Sequence, residues 1–514
     1  MKIFFLFLLA ISSFGQSNTP EFFTFEELEK LSAEKPESGP LKEKLDRVLN
    51  TPILYPANPT APRLTQVKNI GPALRVAMWN IERGANYDLV KLALDDPKAF
   101  MAAVNKLWIL APEKLLEIEA DAKALSQSDI LILNELDLGM TRTDYREVAA
   151  DLARDLNMHA VYGIEFVEVD PLYLGKEEWH APVVADDERF LAEQKVDKEK
   201  YRGYHGSAIL SRLPLKNVRI LRFTPCYDWF TSEKNAISEL EKGKRLAADK
   251  LFLERVAREV RQGGRIAILA DIESKDSPTG FVTVVNAHLE NKCLPACRQK
   301  QMEELLATIA NVKHPLVLAG DFNTTGSDGA PMSIRRELVK RVRNPQFWAQ
   351  QGLKWFTPIS LPNAFLAPTN YFKNFNDPTA KNIPLVAKNP EAGLFTKLRE
   401  FRFQDGGAFD FAGDPDRSVD NRGGTLSNSN ERAKKGFTTT FHFQRDFKGA
   451  VGRMRLDWIL VKTSAEEGSR VEGGTHAWRP HFGRTLANLN NAVDGQISDH
   501  HPVIVDLPLT NPAQ

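Results

Sequence analysis

Cysteine is scarce in this sequence, which contains only Cys226, Cys293 and Cys297. So low a count excludes a small scaffold held together by many disulfides, and C-L-P-A-C alone offers too few ligands for a structural zinc site. If the protein is exported, we expect Cys293 and Cys297 to form a small disulfide loop and Cys226 to stay unpaired. The alternative is that both are inert thiols, and neither interpretation indicates a redox function.

An excess of charge is also absent, because 67 basic and 67 acidic residues cancel to a formal net charge of zero. This balance argues against a protein held to nucleic acid by its overall charge, although a local basic groove would leave the total unchanged. The hydrophobic content of 42% and the charged content of 26% are ordinary for a soluble globular protein.

Long hydrophobic runs are missing after the first residues. The chain opens with M-K-I-F-F-L-F-L-L-A-I-S-S-F-G-Q, in which one lysine precedes an apolar run followed by small residues. This pattern predicts a signal peptide over residues 1–16 and a secreted or periplasmic protein; a membrane anchor is the alternative. The run is far shorter than the roughly 20 residues of a membrane-spanning helix. We therefore expect no membrane span, and we expect a monomer.

The chain is long enough, at 514 residues, for one large domain with insertions or for two domains. We expect an N-terminal extension over residues 17–70 and a main domain over residues 71–510. Insertions are predicted at about 168–203 and 326–450, where the strand pattern is interrupted. The second insertion contains D-P-D-R-S-V-D, which lacks the residue order of an EF-hand and is read as a solvated loop.

Strand-like apolar segments alternate with helical ones, which predicts an α/β protein. The expected strands are Leu74–Glu82, Asp129–Asp137, Ser207–Arg212, Arg265–Ile272, Phe281–Leu289, Pro315–Asn323, Arg455–Val461 and His501–Leu507. The expected helices cover about 112–127, 146–157, 233–262 and 298–311. The turn residues S-K-D-S-P-T-G predict that the fourth and fifth strands form a hairpin.

Polar residues interrupt these apolar runs at comparable places. They are Asn80, Glu82, Asn134, Glu135, Asn286, His288, Asp321, Asn323, Asp457, Asp499 and His500. If the strands share a sheet edge, these groups converge, and burying their like charges costs several kcal/mol unless a cation neutralises them. An oxygen-rich set with few histidines suits Mg²⁺ or Mn²⁺ better than zinc.

The segments W-N-I-E, L-N-E-L-D, G-S-A-I-L-S-R, V-N-A-H-L, A-G-D-F-N, R-L-D-W-I-L and I-S-D-H-H-P-V occur in this order. Together they resemble the endonuclease/exonuclease/phosphatase superfamily, the DNase I-like enzymes. The resemblance covers about residues 72–325 and 450–508. It implies an α/β fold in four layers, with two packed β-sheets flanked by helices.

The resemblance also implies a metal site for Mg²⁺ or Mn²⁺. Glu135 corresponds to the principal ligand of the family. Asn80 would help to hold the metal or its water, and Asp499 would be a further ligand. The enzyme would be a Mg²⁺-dependent phosphoric ester hydrolase.

Five further residues receive catalytic roles from the same resemblance. His500 would contact the scissile phosphate as general base, and Asp457 would fix its tautomer. Asp321 would orient the attacking water, and Asn323 would donate to the phosphoryl oxygens. His288 would bind the phosphate or assist the leaving group. Whether Asp321 or His500 takes the proton of the water stays open.

Four residues near these motifs carry weaker hypotheses. His501 is expected to be a packing or surface histidine, because side chains alternate along a strand. Glu82 is read as an additional acid of the site or as the partner of an arginine. His205 either approaches substrate or belongs to a loop. Arg212 is expected in a structural salt bridge, with phosphate binding as the alternative.

The sequence therefore predicts an exported metal-dependent phosphoesterase. We expect it to hydrolyse phosphodiester bonds, in nucleic acid, a phospholipid headgroup or a small diester, by in-line attack of an activated water. The alternatives are a phosphomonoesterase on a small soluble phosphate such as an inositol phosphate, and a non-catalytic binding module on the same fold.

Overall fold

A computed structural model describes most of the chain between residues 20 and 508. The described residues are 20–58, 62–67, 71–105, 112–176, 196–234, 259–275, 277, 279–324, 391–409, 432–433, 436–442, 453–462, 470–471, 475–476, 483–494 and 496–508. The predicted signal peptide, the D-P-D-R-S-V-D segment and much of both predicted insertions lie outside the described residues.

Two β-sheets form the centre of the described structure. The strands in chain order are β1 (Ile53–Tyr55), β2 (Thr65–Val67), β3 (Gly71–Asn80), β4 (Ile130–Leu138), β5 (His159–Glu168), β6 (Tyr204–Ser211), β7 (Leu215–Arg222), β8 (Arg261–Gly263), β9 (Ile266–Glu273), β10 (Phe281–Ala287), β11 (Leu316–Asp321), β12 (Arg432–Ala433), β13 (Gly436–Phe437), β14 (Phe441–His442), β15 (Arg453–Met454), β16 (Asp457–Lys462), β17 (Arg470–Val471), β18 (Thr475–His476), β19 (Arg484–Thr485) and β20 (Val503–Pro508).

The first sheet has the order β1-β5-β6-β4-β3-β20-β19, with β2 paired to β3 and β8 paired to β5. The second sheet has the order β16-β11-β10-β9-β7. Most neighbours are antiparallel, but β3 with β4 and β10 with β11 are parallel. The predicted hairpin of β9 and β10 is confirmed. Three further pairs, β12 with β13, β14 with β15 and β17 with β18, stand outside both sheets.

Strand β3 shows why the strands that carry the motifs have continuous apolar runs in the sequence. Its Leu74, Val76 and Met78 belong to the core between the two sheets. Its Ala77 and Trp79 point the other way, into the core between the first sheet and the helices. Side chains alternate along a strand, so a strand buried on both faces needs apolar residues at almost every position.

Helices cover the outer face of each sheet. They are α1 (Phe25–Ala33), α2 (Pro40–Asn50), α3 (Tyr87–Asp95), α4 (Pro97–Ala103), α5 (Pro112–Ser126), α6 (Val148–Leu156), α7 (Thr231–Lys234), α8 (Pro295–Ile309) and α9 (Ala392–Glu400), with 3₁₀ turns at Glu82–Gly84 and Thr141–Thr143. The helices α1 to α6 pack on the first sheet, and α8 and α9 pack on the second. The predicted four-layer α/β sandwich is thus confirmed. None of these described helices is long and apolar enough to cross a membrane.

The segment expected as an N-terminal extension packs closely against the first sheet. Leu28 and Leu31 of α1 and Val48 of α2 are buried in its helix-side core. Strand β1 pairs with β5 over three residues. The predicted limits of the main domain remain a prediction.

The predicted helix over residues 233–262 is wrong at its C-terminal end. Arg261–Gly263 forms β8, which pairs with Phe166–Glu168 at the end of β5. Two consecutive glycines weaken a helix here, and Gly263 has a φ of 125°, which favours glycine. The open edge of β5 supplies the hydrogen bonds that a helix would otherwise have made.

The predicted disulfide between Cys293 and Cys297 is also wrong. Cys297 bonds to Cys226, with 5.9 Å between their Cα atoms. Helix α8 starts at Pro295, so Cys297 lies in its first turn while Cys293 precedes the helix. The Cys293 thiol is buried and donates to the carbonyl of Glu290 at 3.4 Å. The helix start therefore separates the two sulfurs that are close in sequence.

Reducing the Cys226–Cys297 disulfide should destabilise the protein by about 2–4 kcal/mol. The bond closes a loop with a sequence separation of 71 residues, and constraining so long a loop in the unfolded chain is worth about 4 kcal/mol in a chain-entropy model. Urea unfolding with and without dithiothreitol measures the difference. The double variant Cys226→Ser/Cys297→Ser should ignore the reductant. Cys293→Ala is the matched control and should be destabilised by the reductant as the wild type is. If dithiothreitol left the stability of the wild type unchanged, the prediction would be contradicted.

Candidate active site

Strand ends from both sheets meet at one end of the sandwich. Asn80 ends β3 and Glu135 lies in β4 of the first sheet, while Asp321 ends β11 of the second. The side-chain amide of Asn80 donates to Glu135 Oε1 at 3.1 Å and to Asp321 Oδ2 at 3.1 Å. One amide therefore bridges carboxylates that belong to different sheets.

Asp321 lies at the centre of this group. Its Oδ2 is 3.8 Å from Nε2 of His288 and 3.8 Å from Nε2 of His500. Its Oδ1 accepts the backbone N–H of Asn323 at 2.8 Å, and Asn323 adopts a left-handed φ of 50°. The side-chain amide of Asn323 donates to the carbonyl of Leu289 at 2.9 Å. Both imidazoles thus approach the same carboxylate oxygen.

His500 forms a pair with a fully buried aspartate. Its Nδ1 is 2.8 Å from Oδ2 of Asp457, which lies opposite Asp321 in the β11–β16 register. Burial lowers the pKa of His500, but the carboxyls of Asp457, Asp499 and Asp321 outweigh it and raise that pKa well above its usual value. With Nδ1 committed to Asp457, Nε2 is the nitrogen that faces Asp321.

His288 forms a second pair of the same kind, with residues that the sequence reading did not select. Its Nδ1 is 3.1 Å from Oε1 of Glu165, a fully buried residue of β5. Arg265 Nη1 donates to Glu165 Oε2 at 2.8 Å and lies 2.9 Å and 3.0 Å from the two ring nitrogens of His288. Burial would raise the pKa of Glu165, but His288 and Arg265 hold it well below its usual range. An acid inside the apolar strand G-I-E-F is the sequence signal that would have found it.

The S-D-H segment is fixed to β3 by two hydrogen bonds. Ser498 Oγ donates to the carbonyl of Asn80 at 2.7 Å and accepts the N–H of His500 at 3.1 Å. The indole N–H of Trp79 donates to the carbonyl of His500 at 2.9 Å. These bonds set where the His500 side chain enters the site.

Asn134 and Asn286 support the site without lining it. The amide of Asn134 donates to Asn286 Oδ1 at 2.8 Å, and its own oxygen accepts the N–H of Asp321 at 2.8 Å. Both asparagines are fully buried between the sheets. Asn286 of β10 donates to the carbonyl of Leu133 at 2.8 Å. Asn134 lies within a register shift of β4 between Leu133 and Leu136, where Glu135 takes a left-handed φ of 56°. Bulges of this kind redirect a side chain, here the carboxylate of Glu135.

Comparison with models of protein families identifies the family of this chain. A family model described as the endonuclease/exonuclease/phosphatase family matches residues 79–500. The chain belongs to that family. A comparison with curated proteins found no match.

Three similar solved structures share 13% to 15% identity with this chain. An endonuclease/exonuclease/phosphatase from Beutenbergia cavernae is 13% identical, with a TM-score of 0.38, over 86% of this chain and 72% of that one. The 3′ phosphatase NExo from Neisseria, solved with a product DNA hairpin, is 15% identical, with a TM-score of 0.37, over 85% and 99%. The human Nocturnin catalytic domain, solved with a sulfate anion, is 14% identical, with a TM-score of 0.33, over 87% and 99%.

The donors at this end of the family fold fit a hard divalent cation. Glu135, His288 and Asp321 place one ligand atom each within 4.8 Å of one another, and so do Asp321, Asp457 and His500. The two groups hold three carboxylates and two imidazoles, and the amide of Asn80 bonds two of the carboxylates. A set so rich in oxygen suits Mg²⁺ or Mn²⁺.

The pKa values of Glu82 and Glu135 bear on the same interpretation. Burial raises the pKa of Glu82 to about 8, with the charges of Asp499 and Glu135 acting in the same direction. Burial also acts to raise the pKa of Glu135, but His288, His205 and Arg83 bring it to about 2. Burial and the neighbouring carboxylates thus disfavour ionisation of Glu82, and a bound cation would reduce that cost.

Of the weaker candidates, His205 and His501 lie near the site but bond elsewhere, while Arg212 lies at the opposite end of β4. His205 is buried, with Nδ1 2.9 Å from Asp137 Oδ1, and Asp137 also accepts two bonds from Arg142, at 2.6 Å and 2.9 Å. Arg212 is buried and donates to the carbonyl of Ser128 at 3.4 Å, so its contact is with backbone. His501 is buried beside His500, as expected of a packing histidine.

All eight residues that the sequence reading placed in the site lie at this end of the sandwich. Asn80, Glu135, His288, Asp321, Asn323, Asp457 and His500 are joined by the bonds and short distances given above. Asp499 lies at the rim, with Oδ1 3.9 Å from His500 Nε2.

Proposed function

We propose that this chain is an exported, Mg²⁺-dependent phosphoesterase that hydrolyses phosphodiester bonds by in-line attack of water. The observation that carries this proposal is the pair of imidazoles on either side of Asp321. Each imidazole has its own buried carboxylate, and each presents Nε2 at 3.8 Å from the same Asp321 oxygen. Hydrolysis of a phosphate ester needs groups on both sides of phosphorus, one for the water and one for the leaving oxygen.

Glu135, Asn80 and Asp499 would hold the metal ion. Bound there, Mg²⁺ or Mn²⁺ would supply Lewis-acid stabilisation of the charge that develops on phosphoryl oxygens. The amide of Asn80 now bonds two carboxylates, and turning it would direct its oxygen at the ion instead.

His500 and Asp321 would act on the attacking water. The bond from water oxygen to phosphorus forms as the bond from phosphorus to the leaving oxygen breaks. The proton released by the water passes to His500 Nε2 or to Asp321 Oδ2, which lie 3.8 Å apart. Because its pKa is raised, His500 accepts this proton only in its neutral form, which a cation bound beside it would favour. Asp457 then keeps the proton on Nδ1 and leaves Nε2 free to accept.

Cations and amides on the opposite side would bind the phosphoryl oxygens. Asn323 is the candidate that the sequence indicates for these oxygens. His288 would bind them or give a proton to the leaving oxygen, and Arg265 adds a permanent positive charge beside His288. Losing one such donor costs on the order of 2.7–4 kcal/mol of transition-state stabilisation in comparable sites.

The Cys226–Cys297 disulfide supports export, since such bonds persist in oxidising compartments. The predicted signal peptide points the same way. Fractionation of expressing bacteria into cytoplasm, periplasm and medium tests the proposal; protein confined to the cytoplasm in its full length would oppose it.

The activity is tested with bis-p-nitrophenyl phosphate beside p-nitrophenyl phosphate, followed by nucleic acids, phospholipids and inositol phosphates. We expect Mg²⁺-dependent release from the diester, with loss on chelation and recovery on adding metal. Preference for the monoester would overturn the diesterase proposal. Turnover that ignores chelation would overturn the metal-dependent one.

Glu135→Gln should raise the Mg²⁺ concentration for half-maximal activity by about 10- to 100-fold. The variant removes a charged ligand but keeps the shape of the side chain, and lost metal-site contacts typically cost that factor in affinity. Isothermal titration calorimetry with Mg²⁺ gives the affinity independently of turnover. Glu147→Gln is the matched control, because Glu147 is half-buried at the start of α6, outside the cluster. Unchanged Mg²⁺ affinity in Glu135→Gln would remove Glu135 from the site.

A further inference from the structure

The two members of the His500–Asp457 pair come from different sheets. Asp457 starts β16 of the second sheet, while His500 precedes β20 of the first. Their 2.8 Å contact therefore depends on how the two sheets are held together at this end. A short described segment of the second predicted insertion, residues 436–442, lies across this junction.

Thr440 in that segment bonds to both sides. Its Oγ1 accepts the backbone N–H groups of Leu456 and Asp457, both at 3.1 Å. Its carbonyl accepts the N–H of His501 at 2.7 Å, and its own N–H donates to the carbonyl of Met454 at 2.9 Å. The residue is fully buried. One threonine thus ties the start of β16 to the residue beside His500.

Phe441 adds a contact with the histidine ring itself. Its ring centroid is 4.9 Å from that of His500, with the planes inclined at 58°, and the two residues form an isolated backbone bridge. A ring at this distance limits how far the imidazole turns away from Asp457.

We propose that Thr440 is a positioning residue for the His500–Asp457 pair, and that Phe441 supports it by packing on His500. The second insertion would then complete the site rather than only surround it. The proposal deepens the proposed function, because turnover is one of its readouts.

The physical reason is that the Thr440 hydroxyl serves two backbone N–H groups next to Asp457. Valine has nearly the same shape as threonine but offers no acceptor, so both buried N–H groups would lose this partner. The chain at Asp457 would shift to find other partners, and shifts of about 1 Å at a catalytic group can cost roughly 100-fold in rate.

We expect Thr440→Val to lower kcat by about 10- to 100-fold with KM within about twofold, and Thr440→Ser to restore kcat to within about threefold of wild type. The matched control is Thr283→Val. Thr283 is buried in β10, and its hydroxyl donates to Asp271 at 2.7 Å, away from the site. A kcat loss in Thr440→Val no larger than that in Thr283→Val would overturn the proposal.

A double-mutant cycle separates positioning from general damage. In an Asp457→Asn background the further effect of Thr440→Val on kcat should fall below about threefold, because the residue acts through Asp457. An undiminished effect in that background would overturn the proposal.

A crystal structure of Thr440→Val decides the matter without turnover. We expect the Asp457 Oδ2 to His500 Nδ1 distance to exceed hydrogen-bonding range; retention of the 2.8 Å contact would overturn the proposal. If Thr440→Val does not fold, Phe441→Leu is examined in the same way. A wild-type protein without hydrolytic activity would refute the proposed function, while this distance would still decide the role of Thr440.

Discussion

His500→Ala should lower kcat by about 10³- to 10⁴-fold and change KM by no more than about twofold. The imidazole is the group whose Nε2 faces Asp321, and a positioned general base typically contributes 10²–10⁴-fold. Its truncation also leaves the buried carboxylate of Asp457 without its partner. Steady-state kinetics on the diester at saturating Mg²⁺ measure the effect.

The neighbouring histidine provides the control. His501 is buried, but its backbone N–H, not its ring, makes the bond to Thr440. We expect His501→Gln to lower the melting temperature and to leave kcat within about tenfold of wild type. Equal losses of kcat in the two variants would mean that both histidines contribute only packing, and His500 would lose its assigned role.

Much of the site could be predicted because each polar residue interrupts an apolar strand. Asn80, Glu135 and Asp321 are visible in this way, and a carboxylate at a buried strand end needs an explanation from chemistry. The same reasoning also selected Asn134 and Asn286. They are polar for another reason, since they cross-link backbone and side chains between the sheets. Pattern alone does not separate a residue that lines a cleft from one that bonds behind it.

Glu165 and Arg265 escaped prediction because their role exists only in three dimensions. Glu165 lies in β5 of the first sheet, and Arg265 precedes β9 of the second. His288 brings them together across the interface between the sheets. The Cys226–Cys297 bond escaped prediction for the same reason. No local pattern favours a partner 71 residues away over one that is four residues away.

The two imidazole–carboxylate pairs therefore cross the sheet interface in opposite directions. His500 of the first sheet meets Asp457 of the second, and His288 after β10 of the second sheet meets Glu165 of the first. Each pair depends on the packing of the sheets, so the core between them sets the geometry of the site.

Asp321 is the residue whose single change should be most informative. Asp321→Asn keeps the size of the side chain and can still accept the N–H of Asn323, but it removes the charge that lies between the two imidazoles. We expect kcat to fall by about 10³-fold or more at saturating Mg²⁺, because both a water-orienting group and an acceptor for its proton are lost.

The metal dependence distinguishes Asp321 from Glu135. The Mg²⁺ affinity of Asp321→Asn should change by less than about tenfold, in contrast to Glu135→Gln, since its assigned contact is with the water. Asp271→Asn is the matched control: Asp271 lies in β9 of the same sheet and accepts bonds from Thr283 and Asn217 away from the site. Full activity in Asp321→Asn at high Mg²⁺ would show that Asp321 serves only to bind metal, and the water would then depend on His500 alone.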